Sequence, residues 1–112
     1  MPTSGVPEMS PAELKERLDQ EHPLVLVDVR EPREYPIADL AQYDPKRIPV
    51  GELVERMDEL SRDDNLVIYC RSGSRSAWAV QQLQAAGYEK VFNLVGGILR
   101  WRVEVDPTLN AY

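Results

Sequence analysis

Residues 66–77 read Leu66-Val67-Ile68-Tyr69-Cys70-Arg71-Ser72-Gly73-Ser74-Arg75-Ser76-Ala77. Four apolar residues lead directly to a cysteine, which is the pattern of a short buried strand. Small and polar residues follow and predict a turn. Beyond the turn, apolar residues recur at helical spacing until Gly87: Ala77, Val80, Leu83 and Ala86. A strand that runs through a tight turn into a helix is the unit from which parallel sheets are built.

The same alternation of strand and helix extends through the rest of the chain. Ser10 is placed to cap a first helix that begins at Pro11. Two further apolar runs, 24–29 and 90–94, predict strands, and helical spacing recurs over 53–60 and 98–103. We therefore predict a small α/β domain over residues 9–112, with a mainly parallel central sheet and helices on both faces. Residues 1–8, rich in proline and small residues, are expected to form a flexible tail or linker.

Length and composition limit the class of protein. The chain has 112 residues, of which 43% are apolar and 29% charged, as in an ordinary globular domain. No stretch approaches the roughly 20 apolar residues of a membrane span, and Met1–Ser4 do not begin a secretory signal. We expect no membrane partner and a cytoplasmic location.

Charge is distributed unevenly along the chain. Thirteen basic against 19 acidic residues give a net charge of −6, which argues against a nucleic-acid partner. Residues 1–64 hold 16 acidic and 8 basic residues, whereas residues 65–112 hold 3 acidic and 5 basic ones. The half that contains Cys70 is therefore mildly cationic, which suits a small anion.

Cys70 is the one cysteine of the chain, and there is one histidine, so neither a zinc cluster nor an internal disulfide can form. Cys70 is either an inert core thiol or a reactive nucleophile. It ends a predicted parallel strand, where ligands bind, and it precedes a helix N-terminus with unpaired N–H groups. Gly73 lets these groups turn inward, and Arg71 and Arg75 add positive charge. Together these features favour a nucleophilic thiolate.

Four segments resemble the family of rhodanese-type sulfurtransferases, in the family's order and over nearly all of residues 9–104. Residues 66–77 resemble the active-site loop, Cys-Arg-Ser-Gly-x-Arg-Ser. The other three are Asp28-Val29-Arg30-Glu31-Pro32-Arg33-Glu34-Tyr35, Ile48-Pro49-Val50-Gly51-Glu52-Leu53, and Asn93-Leu94-Val95-Gly96-Gly97-Ile98 with Trp101. Residues 101–108 are similar to the end of the rhodanese domain in adenylyltransferase/sulfurtransferase proteins. Residues 36–43 depart from the family's Gly-His-Ile-x-Gly-Ala element, so the path of residues 36–47 is not predicted.

The resemblance implies a transfer of sulfane sulfur through a persulfide on Cys70. The donor would be a small anion such as thiosulfate, or a persulfide donor protein, and the acceptor a thiol or a sulfur-carrier protein. No metal and no organic cofactor is implied. The residues implied to bind the anion and the persulfide are Arg71, Ser72, Gly73, Ser74, Arg75 and Ser76. Asp28 and Arg30 are interpreted as a pair that supports the site, because a carboxylate buried at a strand end needs a partner.

Two alternative functions remain at this level. A cysteine-dependent phosphatase or arsenate reductase of related fold would also use a thiolate in an anion nest closed by an arginine. Such enzymes place five residues between cysteine and arginine, whereas four separate Cys70 from Arg75. A non-catalytic rhodanese-like binding module is the other alternative, although such members commonly lack the cysteine.

Overall fold

Five parallel strands form the central sheet. The computed structural model describes residues 6–112, and the strands within them are β1 (Glu8–Met9), β2 (Val25–Asp28), β3 (Lys46–Arg47), β4 (Leu66–Tyr69) and β5 (Val91–Leu94). Their order across the sheet is β1-β5-β4-β2-β3, and each pairing is parallel. The apolar runs predict β2, β4 and β5. The two-residue edge strands β1 and β3 carry no such pattern.

Four α-helices in the described part of the chain cover both faces of the sheet, which confirms the predicted fold class. They are α1 (Pro11–Asp19), α2 (Leu53–Arg56), α3 (Ser74–Ala85) and α4 (Gly97–Glu104). Successive strand side chains point to opposite faces, so Ile68 packs with the residues of α2 and α3 and Val67 with those of α1 and α4. None of the helices within residues 6–112 has the length and apolar character that a membrane crossing requires.

The segment before β4 is less regular than its helical spacing predicts. The α-helix expected over residues 53–60 is a single turn, α2, between 3₁₀ turns at Val50–Glu52 and Met57–Glu59. A 3₁₀ turn at Pro32–Glu34 follows β2, and residues 36–47, whose path the sequence does not predict, form a second 3₁₀ turn at Ala41–Tyr43 and then enter β3. Glu34 is buried in the first of these turns.

The expectation of a tail over residues 1–8 needs correction. Residues 1–5 lie outside the described residues. Val6 is buried, and Glu8 begins β1, opposite Asn93 of β5. The Asn93 N–H donates to the carbonyl oxygen of Pro7 at 2.8 Å. Such pairing uses the main chain of a sheet edge, which does not require an apolar run in the added segment.

Candidate active site

The loop that begins at Cys70 lies at the topological switch point of the sheet, where the connections from two neighbouring strands run in opposite directions. β2 and β4 are neighbours, but the chain leaves β2 toward β3 and leaves β4 toward β5, on the opposite side. Such a divergence opens a crevice beyond the carboxyl ends of the strands, where ligands bind in open parallel sheets. Cys70 follows β4 directly and is fully buried.

Gly73 makes the turn that brings a main-chain donor to the cysteine. Its φ of +108° lies in the left-handed region, and it is the residue before α3. The Gly73 N–H donates to Cys70 Sγ at 3.1 Å. A Cβ at this position would lie 3.3 Å from the Gly96 nitrogen, so side chains are disfavoured both by conformation and by space. The sulfur thus faces an N–H group at the positive end of a 12-residue helix.

Gly96 and Gly97, at the start of α4, lie against the other side of the loop. The N–H of Ile98 donates to the carbonyl oxygen of Cys70 at 3.0 Å, and the N–H of Leu99 to that of Arg71 at 3.1 Å. A Cβ on Gly97 would lie 2.5 Å from both carbonyl oxygens. Glycine is therefore required here so that the first turn of α4 can contact the loop and satisfy its carbonyl groups.

A closed set of hydrogen bonds surrounds the sulfur. Ser76 Oγ lies 3.3 Å from Cys70 Sγ and donates to Asn93 Oδ1 at 2.6 Å. Asn93 Nδ2 donates to the carbonyl oxygen of Gly73 at 3.2 Å, which returns to the residue whose N–H binds the sulfur. The sequence analysis assigns Ser76 to the site. It does not assign Asn93, whose side chain reaches the site from β5. Its position before the Gly-Gly element is the one sequence signal.

Arg75 binds a carboxylate rather than the sulfur. Its guanidinium makes two hydrogen bonds to Glu34, at 2.8 and 3.0 Å. The hydrogen bond from Arg75, together with those from the Glu31 N–H and the Tyr112 hydroxyl, lowers the pKa of Glu34 to about 2 although burial opposes the shift. The same contact with Glu34 raises the pKa of Arg75. Glu34 is thus an ionised, buried part of the site that the sequence names only within a family motif.

Arg71 is exposed at the outer side of the loop and contacts the last residue of the chain. Its Nε donates to the carbonyl oxygen of Tyr112, and its guanidinium lies 5.2 Å from the centre of the Tyr112 ring. The Tyr112 hydroxyl accepts from Arg30 Nη1 and donates to Glu34 Oε1, both at 2.9 Å. Tyr112 therefore joins Arg71 to Glu34 over the loop, which the sequence does not predict because the contacts span 41 to 82 positions.

A cavity of about 620 Å³ lies beside the loop. Three arginines, two glutamates, two aliphatic side chains and a tyrosine line it: Arg33, Arg71, Arg75, Glu31, Glu34, Ile37, Val50 and Tyr112. Its excess of positive charge and its size allow an anion larger than a single sulfur atom. Ser72 and Ser74 are exposed and line a different cleft, with Glu8 and Val95. In residues 6–112, Ser76 is the serine whose hydroxyl is within hydrogen-bond distance of Cys70 Sγ.

Asp28 and Arg30 form a buried ion pair at the end of β2. Arg30 Nε and Nη2 each lie 3.0 Å from a carboxylate oxygen of Asp28, and both side chains are fully buried. Arg47 also donates to Asp28, at 2.6 Å, and bridges to Asp39. A second set of bonds from Arg30 reaches the Ala38 carbonyl oxygen and the Tyr112 hydroxyl. The pair therefore connects β2 to the segment that carries Glu34 and to the end of the chain.

Family and sequence comparisons agree with the motifs. The family model described as "Rhodanese-like domain" matches residues 10–104. A "Sulfurtransferase" of Allochromatium vinosum is 41% identical over 86% of this chain and 88% of its own. "Probable adenylyltransferase/sulfurtransferase MoeZ" of Mycobacterium tuberculosis is 36% identical over 93% of this chain and 26% of its own. The chain thus spans about a quarter of the length of that relative, and about half of the length of "Putative sulfur carrier protein YrkF" of Bacillus subtilis.

A solved structure shares the fold. The rhodanese-related protein of Thermoplasma volcanium has a TM-score of 0.79 and 32% identity, over 88% of this chain and 93% of that one. The strand order, the glycine-bounded cysteine loop and the family match over residues 10–104 therefore lead to one conclusion. The chain belongs to the family of rhodanese-like domains.

Proposed function

We propose that the chain is a sulfurtransferase that carries sulfane sulfur as a persulfide on Cys70. The observation that supports this best is the N–H of Gly73, directed at Cys70 Sγ from 3.1 Å at the start of α3. Such a donor stabilises negative charge on sulfur, in the thiolate and again in the persulfide. A relative of nearly equal length carries the name sulfurtransferase, which supports transfer of sulfur in general.

The proposed reaction has two steps and needs no further oxidant or reductant. The Cys70 thiolate attacks the outer sulfur of thiosulfate, the S–S bond of thiosulfate breaks, and sulfite leaves with the electron pair. In the second step a nucleophilic acceptor such as cyanide attacks the terminal sulfur of the persulfide. The new carbon–sulfur bond forms thiocyanate, and the electron pair returns to Cys70 as a thiolate.

Sulfur suits this site better than phosphate does. A phosphatase nest needs its closing arginine free to bind the phosphoryl oxygens, whereas both outer nitrogens of Arg75 are bound to Glu34. The loop also has four residues between Cys70 and Arg75, one fewer than the phosphatases. The polar groups within hydrogen-bond distance of the sulfur, the Gly73 N–H and the Ser76 hydroxyl, suffice for one small atom.

The cavity beside the loop is the proposed binding place of the donor. Arg71 and Arg33 bring charge to it, and Arg71 makes no ion pair with a side-chain carboxylate of residues 6–112. We propose that Arg71 binds the anionic donor and that Arg75 fixes the loop through Glu34. An acceptor thiol or a sulfur-carrier protein would approach at the same opening. Asp28 and Arg30 act as structural support.

The test is a thiosulfate:cyanide assay beside intact-protein mass spectrometry. The wild-type chain should gain the mass of one sulfur on incubation with thiosulfate, lose it with dithiothreitol, and produce thiocyanate. Cys70→Ser should neither gain the sulfur nor produce thiocyanate, while its melting temperature remains close to that of the wild type. Arg71→Ala should mainly raise the KM for thiosulfate, because it removes binding shared by ground and transition states.

Arg100→Ala is the matched control for the arginine variant. Arg100 is exposed and paired with Glu104 on α4, and it does not line the cavity. Its KM should stay at the wild-type value. Thiocyanate production by Cys70→Ser would refute the mechanism. A folded wild-type chain that gains no sulfur from thiosulfate or from a persulfide would indicate the non-catalytic binding module instead.

A further inference from the structure

Asn93 is a buried polar side chain that the proposed reaction does not use. It lies on β5 with 3% of its surface exposed, and both ends of its amide are bound to the Cys70 loop. Oδ1 accepts from Ser76 Oγ at 2.6 Å, and Nδ2 donates to the carbonyl oxygen of Gly73 at 3.2 Å. It therefore contacts Gly73 and Ser76, which both have a polar group within hydrogen-bond distance of Cys70 Sγ.

The chemistry of these partners determines the orientation of the amide. A main-chain carbonyl oxygen accepts and never donates, so the nitrogen of Asn93 must face Gly73. Its Oδ1 then faces Ser76, whose hydroxyl has a single proton. That proton points to Oδ1, and Ser76 presents a lone pair to Cys70 Sγ at 3.3 Å. This arrangement suits a protonated Cys70, whose S–H donates to Ser76.

We propose that Asn93 is a positioning residue that controls the charge of Cys70 by competing with the sulfur for the one proton of Ser76. When the thiol proton leaves for solvent, the Ser76 hydroxyl rotates, keeps its own proton, and donates to Sγ together with the Gly73 N–H. Asn93 Oδ1 then loses its donor. The amide thus stabilises the resting thiol, and the thiolate forms at the cost of one hydrogen bond elsewhere.

The charged groups around the loop act on Cys70 equally in the wild type and in the variants below. From the loop and α3 these are Arg71 and Arg75, with Glu34 against Arg75. At the end of β2 the Asp28 carboxylate and the Arg30 guanidinium compensate each other. β5 contributes no ionisable side chain, and on β1 Glu8 lines the cleft beside Gly73 and Asn93. On α4, Arg100 pairs with Glu104 and Arg102 binds the Leu109 carbonyl oxygen.

The test is a pH titration of thiolate absorbance in the ultraviolet, without any sulfur donor. The trace of Cys70→Ser is subtracted, so that tyrosine ionisation is removed. Asn93→Leu, which replaces the amide by an apolar side chain of similar size, should raise the thiolate fraction at a pH below the midpoint about fivefold. Asn93→Ala should act in the same direction and serves if the leucine variant does not fold. Asn93→Asp keeps the acceptor and adds negative charge, so its midpoint should rise.

The decisive comparison repeats the Asn93 substitution in a Ser76→Ala background. There the competition cannot occur, so Asn93→Leu should leave the midpoint where Ser76→Ala puts it. A shift of equal size with and without Ser76 would overturn the inference, as would an unchanged or higher midpoint in both the leucine and alanine variants. Asn65→Leu is the matched control, because the Asn65 side chain binds the Pro23 carbonyl oxygen before β4.

The catalytic meaning of this inference rests on the proposed function, but its test does not. The titration measures ionisation of Cys70 alone. A correct shift with no thiocyanate would leave the role of Asn93 standing and remove the sulfurtransferase proposal. Thiocyanate formation with no shift would do the reverse.

Discussion

Replacing Glu34 by glutamine tests how far a single buried carboxylate stabilises the site. Glu34 accepts two hydrogen bonds from Arg75, one from the Tyr112 hydroxyl and one from the Glu31 N–H. Glutamine has nearly the same shape but no charge, and its NH₂ group turns a donor toward one of these donors. The substitution therefore removes the charge assistance and leaves at least one donor without a partner.

The magnitude follows from the pKa of Glu34, which these contacts lower from 4.5 to about 2. Each pKa unit corresponds to about 1.4 kcal/mol, so the folded state favours the carboxylate by about 3 kcal/mol. The Arg75 side chain is 32% exposed, which weakens the interaction by solvent screening. We expect Glu34→Gln to lose about 2 kcal/mol of unfolding free energy at neutral pH and roughly 10 °C in Tm.

The loss should depend on pH in a defined direction. Because the folded-state pKa lies below the unfolded value, the Glu34 contribution is complete above about pH 4.5 and is lost as the pH falls toward about 2. The difference between wild type and Glu34→Gln should therefore be constant from neutral pH down to about pH 5 and should shrink below that.

The measurement is urea denaturation of both proteins at neutral pH and in the acid range. Glu59→Gln is the matched control, since Arg56 also lowers the pKa of Glu59 but the Glu59 side chain is 50% exposed, against 8% for Glu34. This control should change the free energy of unfolding little. Equal stability of Glu34→Gln and wild type at neutral pH would refute the reasoning. A stability difference between the two proteins that stays the same size below about pH 4.5 would also refute it.

Three further substitutions follow from the same contacts. Gly97→Ala places a Cβ 2.5 Å from the Cys70 and Arg71 carbonyl oxygens at a φ of +60°. Chemical denaturation should therefore show a loss of roughly 3 kcal/mol in the free energy of unfolding. Gly51→Ala is the control and should change it little, because a Cβ there has nothing within 4 Å. Tyr112→Phe removes the hydroxyl that links Arg30 to Glu34 and should lower the free energy of unfolding by about 1–2 kcal/mol in the same measurement. An unchanged free energy of unfolding would contradict the contact. Asp28→Asn removes the carboxylate that accepts two hydrogen bonds from the buried Arg30 guanidinium and leaves Asp39, at 3.3 Å, as the carboxylate paired with Arg30 in residues 6–112. The thermal unfolding curve should report a loss of about 3 kcal/mol. A smaller loss than for Tyr112→Phe would argue against the Asp28–Arg30 pair as support.

The sequence alone predicts the parts of this protein that are local in the chain. β4, the turn at Gly73 and α3 lie within 20 successive residues, so apolar spacing and one glycine suffice to predict them. The position of Cys70 follows as well, because the end of a buried parallel strand and the start of the next helix are adjacent in sequence. The family motifs add the Gly-Gly element, although the contact it makes with the loop carbonyls is visible only in the folded chain.

The tertiary structure decides which distant groups meet at the loop. Glu34 reaches Arg75 across 41 positions, Tyr112 reaches Glu34 across 78, and Asn93 reaches Gly73 across 20. The edge strands β1 and β3 are likewise not predicted, because neither contains an apolar run. The physical reason is that hydrophobic periodicity records which face of an element is buried, whereas these contacts depend on strand order, on the register of neighbouring strands, and on main-chain groups that every residue carries.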